Sequence, residues 1–214
     1  METSEAIKLN QEVFKNIQIS SQENMIIKSL DKFYEDTSNI NLFISIINPD
    51  TLGASSISIR LIDHFVTKYS KTNKINYRLK ENDVEQTFNV HTSYKQQLKA
   101  FQKRHFDPFS RGDRIPYFMG NSCIITTIGQ LNFFKWFISK KIYNYIMDNQ
   151  YNIENDMNRR NKNDINKMKK DKKPKKLLKH NIIIPQTSNM CYSNNRPILL
   201  SEPKKEQIVV SFTF

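Results

Sequence analysis

The sequence predicts an α+β fold: a small, mixed helical domain with short β-hairpins, followed by a basic, partly disordered C-terminal arm. Two observations carry this prediction. Apolar residues recur at helical spacing in several stretches, and these are interrupted by pairs of short strand-like runs around polar turns. Beyond about residue 150 the apolar pattern gives way to repeated Asn and Lys.

Residues 1–22 are polar with scattered apolar positions and read as a flexible N-terminal segment, at most a frayed helix. A core domain is expected over 23–150. Met25, Ile26, Leu30, Phe33 and Tyr34 mark a helix over 23–34, and 36–39 is a break that also offers N-caps. The run Leu42, Phe43, Ile44, Ile46 and Ile47 fits a buried helix or a strand, with helix favoured, and Pro49 ends it. Ser55 and Ser56 are N-cap candidates for a helix reaching Ser70, with Leu61, Ile62, Phe65, Val66 and Tyr69 on its apolar face. Two short strands are expected at 75–79 and 86–90. A helix over 93–104 carries Tyr94, Leu98 and Phe101 inward and ends before Pro108.

A hairpin follows over 114–126, with Gly120-Asn121 as its two-residue turn. Thr127 with Gln130 three residues later is a capping-box pattern opening one apolar helix to about residue 148. Residues 151–181 read as a basic arm, helical or disordered. In the tail over 182–214, the apolar run at 208–214 is a candidate docking strand, with Ile208, Val210, Phe212 and Phe214 as partner-binding residues.

The formal net charge is +12, which points to a polyanionic partner. Residues 159–179 carry eleven basic and two acidic side chains, so +9 of that +12 lies in one segment. The expected nucleic-acid-binding residues are therefore Arg159, Arg160, Lys167, Lys169, Lys170, Lys172, Lys173, Lys175 and Lys176. The plain alternative is a solvated tail whose lysines reflect an AT-rich genome. A second patch is expected from Lys95, Lys99 and Lys103, spaced four apart on one helix face, with Arg104, Arg111 and Arg114 following. Phe106, Phe109, Tyr117 and Phe118 would stack on bases if exposed, but core packing is the favoured reading.

No enzyme is expected. His64, His91 and His105 share no ligand spacing with Cys or acidic residues, so no metal or other cofactor is expected. Gly129 is isolated rather than part of a phosphate loop, Asp107 reads as a turn residue, and Cys123 as a buried strand residue. Arg111-Gly112-Asp113 reads as a turn. The N-terminus has no apolar signal segment, and no apolar run is long enough to span a membrane.

Three stretches have a family likeness: 58–70 (SIRLIDHFVTKYS), 88–109 (FNVHTSYKQQLKAFQKRHFDPF) and 126–136 (TTIGQLNFFKW). Together they resemble a family of uncharacterised proteins of giant nucleocytoplasmic large DNA viruses, mimivirus-like, over roughly residues 42–146. The resemblance implies a viral setting, in the host cytoplasm (the viral factory) or the virion, near DNA and viral RNA. The expectation is a basic accessory protein that binds DNA or RNA largely without sequence preference, in genome packaging or viral gene expression. The alternative is an interaction or scaffold subunit that contacts viral or host proteins.

Overall fold

The computed structural model describes residues 3–48, 57–81, 83–120 and 122–171. The elements in chain order begin with α1 (Thr3–Asn16), α2 (Ser21–Phe33) and α3 (Thr37–Ile47). Next comes α4 (Ile59–His64), which continues through a π-helical turn (Phe65–Tyr69) into a last turn (Ser70–Thr72). Then follow β1 (Asn76–Glu81), β2 (Val84–Asn89), α5 (Val90–Phe101), β3 (Ile115–Met119), β4 (Ser122–Thr126), α6 (Ile128–Ser139) and α7 (Ile142–Asp171). This is the α+β class expected from the pattern: helices with two antiparallel hairpins, β1 with β2 and β3 with β4.

The core is built around α6. Its sequence is apolar on nearly every side, so it must be surrounded, and Leu131, Phe133, Phe134 and Phe137 are fully buried. Phe134 meets Phe43 of α3 edge-on at 5.4 Å and Phe137 at 5.8 Å, the geometry aromatic quadrupoles favour. Tyr34, at the end of α2, donates its hydroxyl to the Leu131 carbonyl at 3.1 Å, so even the buried polar group near the centre is satisfied.

Thr127 caps α6 as the sequence suggested, accepting from the Gln130 amide at 3.1 Å. The reciprocal half of a capping box is not used. The Gln130 side chain instead accepts from Thr126 Oγ1 at 2.8 Å and donates to the Pro108 carbonyl at 2.9 Å, tying the 102–109 loop to the helix start. Gly129 is explained by the same loop. A Cβ there would sit 2.7 Å from the Arg104 carbonyl oxygen, backbone that cannot swing aside. Gly129→Ala is therefore expected to lower stability by about 1–3 kcal/mol through overpacking, measured by urea unfolding. A loss below about 0.5 kcal/mol would mean that the loop is not held there.

The expected single helix from 127 to 148 is in fact two. Lys140 closes α6 and Lys141 takes a left-handed φ of 54°, which turns the chain before α7 starts. The break is stabilised from outside: Tyr77 of β1 donates its hydroxyl to the Lys140 carbonyl at 2.7 Å, satisfying an acceptor that a helix end leaves open.

The described residues before position 23 are helical for the most part. Over Thr3–Asn16 they form α1, and Ala6, Asn10 and Phe14, each four residues from the next, are buried along one stripe. The Asn10 amide pairs with the edge of β3 as a strand would, accepting from the Phe118 N–H at 2.8 Å and donating to its carbonyl at 3.0 Å. Asn10→Ala is expected to cost about 1–3 kcal/mol by leaving both strand-edge groups unpaired under the helix. Hydrogen exchange of the Phe118 amide would report it, and unchanged protection would show that Asn10 does not hold the edge.

Other boundaries shift slightly. Ser58 caps α4, while Ser55 and Ser56 lie outside the described residues. Asn89 caps α5, which ends at Phe101 because Gln102 takes φ 58°. In the β3–β4 hairpin the turn residue Gly120 has φ 50°. β3 buries Ile115, Tyr117 and Met119, whereas β4 buries only its last residue, Thr126, so Cys123 on β4 is exposed rather than buried.

Candidate nucleic-acid interface

The basic arm begins as a helix rooted in the core. In α7, Ile142, Ile146 and Ile153 are fully buried and Asp156 follows on the same stripe, 9% exposed. A buried carboxylate must be paired, and Asp156 is. His64 of α4 lies 3.0 Å away through Nε2, Arg159 donates at 2.6 Å and Arg160 at 2.7 Å. Arg160 also donates to Thr72 Oγ1 at 3.0 Å, at the end of α4.

Burial alone would raise the Asp156 pKa, but the hydrogen bonds from Arg159, Arg160 and His64 outweigh it and bring the value down to about 2. Burial also lowers the His64 pKa, with Asp156 opposing and Arg160 and Lys68 adding. His64 is thus neutral at pH 7, in the tautomer whose Nε2–H donates to Asp156.

Arg159 and Arg160 thus differ in setting. Arg160, about a third exposed, ties the root of the arm to α4 through Thr72, while Arg159 stays largely exposed and pairs with Asp156 within α7. The free charge begins one turn later. From Asn161 to Asn166 every side chain, Lys162 included, is exposed, so α7 leaves the body there and continues to Asp171. The backbone positions of Lys167, Lys169 and Lys170 fall on this projecting helix. Lys172, Lys173, Lys175 and Lys176 lie outside the described residues, as do Ile208, Val210, Phe212 and Phe214.

Beside the root the structure places cations that the sequence reading passed over. Lys68, Lys71 and Lys74 are exposed on and just after the last turns of α4, where Thr72 meets Arg160. The π turn sets this stretch. The Ser70 amide bonds back to Phe65, five residues away, and the hydroxyls of Thr67, Ser70 and Thr72 take the carbonyls four residues back at 2.6–3.1 Å. The spacing of three between these lysines was visible in the sequence, but nothing local announced that α7 crosses beside them.

The second expected patch is only partly assembled. Lys95, Lys99 and Lys103 are exposed along α5 and just after it, and Arg114 is exposed too. Arg104 is engaged by Glu23 and Asp113, each at 3.6 Å. Arg111 donates twice to Asp107 at 2.8 Å and sits 4.9 Å over the Phe109 ring. The Arg111–Asp107 fork lies near Asp63, whose pKa burial raises, and Tyr94, whose pKa burial pushes up to about 12. Arg104 and Arg111 therefore have carboxylates for partners already. Phe106 and Tyr117 are buried core rings and do not present faces to bases.

His105 is held 3.0 Å from Glu23. The Ser20 backbone N–H donates to the Glu23 carboxylate and holds its pKa down at about 2, against burial and with help from the Ser20 hydroxyl and His105. That pair is a helix cap braced by a histidine. Among the described residues no group of three or more His, Cys, Asp or Glu is placed to hold a metal, and no helix is long and apolar enough to cross a membrane.

A family model described as a family of unknown function (DUF7197) matches residues 2–213, nearly the whole chain. The chain belongs to that family. It is 37% identical over 161 residues to "Uncharacterized protein L507" of Acanthamoeba polyphaga mimivirus, an alignment covering 72% of this chain and 61% of the relative. The chain thus spans about three-fifths of the length of that relative. The giant-virus likeness read from 58–70, 88–109 and 126–136 is in place, and the family includes α1 and the basic arm as well as the core. No solved structure matches the fold at a significant level.

Proposed function

We propose that the protein is a non-enzymatic basic accessory factor of a giant virus that binds DNA or RNA largely without sequence preference, acting in the viral factory or the virion in genome packaging or viral gene expression. The observation that carries this reading is the concentration of charge: +9 of the net +12 falls within residues 159–179. Lys68, Lys71 and Lys74 at the root of the projecting helix extend the cationic surface onto the body. Phosphates neutralised by such a stretch release condensed counterions, and that release supplies affinity independent of sequence. Arg160 serves as the anchor of the arm, and Arg159, Lys162 and the lysines beyond serve as the phosphate contacts.

The test is a titration of the full chain with duplex DNA, single-stranded DNA and RNA across about 50–200 mM salt. Binding that weakens steeply with salt supports the reading, and the order of affinities names the preferred nucleic acid. Absence of binding to all three near physiological salt would sink it and leave the interaction-subunit reading standing.

A further inference from the structure

A groove of about 480 Å³ opens between α2, α5 and α6, away from the root of the arm. Its floor and walls are apolar: Ile26, Phe101 and Trp136, with Met25 on the rim, 74% exposed. A large, flexible thioether standing in water beside a buried indole is the kind of adaptable surface used to seat a partner's side chains.

The polar groups of the groove have one sign. Lys135 and Lys140 line it, and no Asp or Glu is among the lining residues. Lys135 is held over the groove by donating to the carbonyl and hydroxyl of Ser29, and burial lowers its pKa, a cost that an incoming carboxylate relieves. The groove does not close around a small ligand. At Gln97 and Lys140 it meets a second depression of about 380 Å³ along α5 and β2, lined mainly by polar uncharged side chains and by no acidic residue, with Lys140 5.9 Å over the Phe88 ring. An apolar groove with two lysines on one wall, opening into a polar depression, suits a segment with one apolar face and carboxylates beside it.

We propose that this groove is the docking surface for an acidic amphipathic helix of a partner protein, its apolar side chains seated on Met25, Ile26, Phe101 and Trp136 and its carboxylates on Lys135 and Lys140. Nucleic acid does not fit it: two lysines over an apolar floor give no track of phosphate contacts. This surface is separate from the arm, so it stands whatever the arm binds.

Trp136 is the single tryptophan of the chain and reports directly on the groove. The probes are synthetic peptides about four helical turns long. One carries Leu and Phe on a single face and Glu elsewhere, the second has Lys in place of Glu, and the third is a scramble of the first with the same charge. The full-length chain is expected to show a saturable change in Trp136 emission with the acidic amphipathic peptide alone. Met25→Glu, at a site too exposed to matter for folding, is expected to weaken that binding about tenfold or more. Lys135→Gln together with Lys140→Gln is expected to do the same, with far-UV circular dichroism showing that the variant is folded. An equal response to the scrambled or the basic peptide, no response to any peptide, or indifference to Met25→Glu would overturn the proposal. So would a concentration-dependent dimer of the chain that Met25→Glu abolishes, which would make a second copy the occupant.

Discussion

Replacing Lys167, Lys169, Lys170, Lys172, Lys173, Lys175 and Lys176 with Gln is expected to lower affinity for duplex DNA about 100-fold or more near physiological salt. Gln keeps the side-chain length and the helix propensity of Lys, so the change isolates charge from conformation. The salt dependence is the sharper reading. If about six of these lysines meet phosphates, the slope of log affinity against log salt falls by about 5. Neutralising Lys68, Lys71 and Lys74 in the same way is expected to take away roughly another 2–3 of slope, because they stand beside the arm's root. Lys95, Lys99 and Lys103 are exposed too, but Arg104 and Arg111 after them are matched by acids, so neutralising the three lysines should change binding by no more than about twofold. Wild-type binding in the arm variant would remove the nucleic-acid reading, and a loss in the α5 variant equal to that in the arm variant would move the interface.

Asp156→Ala is expected to destabilise the fold by about 2–4 kcal/mol, since it leaves buried His64 without its acceptor and the Arg159 and Arg160 guanidinium groups without their carboxylate. The same network makes stability depend on pH in two steps. The lowered His64 pKa means that the unfolded chain takes up a proton more readily than the folded one, so stability is full above about 6.5 and begins to fall as the pH drops below it. Asp156, lowered from 3.8 to about 2, contributes about 2 kcal/mol that is present above pH 4 and lost as pH falls from about 4 to 2. Urea unfolding of wild type and Asp156→Ala across this range checks both. The variant should lose the step below pH 4, and a variant within about 0.5 kcal/mol of wild type at pH 7 would show that the clamp carries no weight.

Why some of this was legible in the sequence and some was not follows from sequence distance. The β3–β4 hairpin, its Gly120 turn and the Thr127 cap rest on neighbours within a few residues, and all three form where the pattern put them. The α1 stripe was hidden because its middle member is Asn10, a polar residue buried only because Phe118, 108 residues away, offers both of its backbone groups. The end of α6 was hidden for a like reason. The local pattern continues through Lys140 and Lys141, and the carbonyl left open at the break is met by Tyr77, 63 residues earlier.

The clamp is the clearest case. His64 and Asp156 are 92 residues apart, and each reads locally as an ordinary polar residue on a helix. Arg159 and Arg160 look alike in the sequence, yet only Arg160 spans the helix crossing, because sequence alone cannot tell a cation facing solvent from one bridging two helices. The groove by Met25 was invisible for the opposite reason: Met25 fits the apolar periodicity of α2, yet its side chain is largely in water.

Because α7 is one unbroken helix from the core to Asp171, its last stretch behaves as a boom rather than a tether. From Asn161 to Asp171 it rises about 16 Å along its axis. A polymer caught at its end is held at a set standoff, and any pull on it bears on the hinge line where Arg160 meets Thr72. The His64–Asp156 pair then acts as the footing of a lever, and weakening that footing would let the boom swing without changing a single lysine on it.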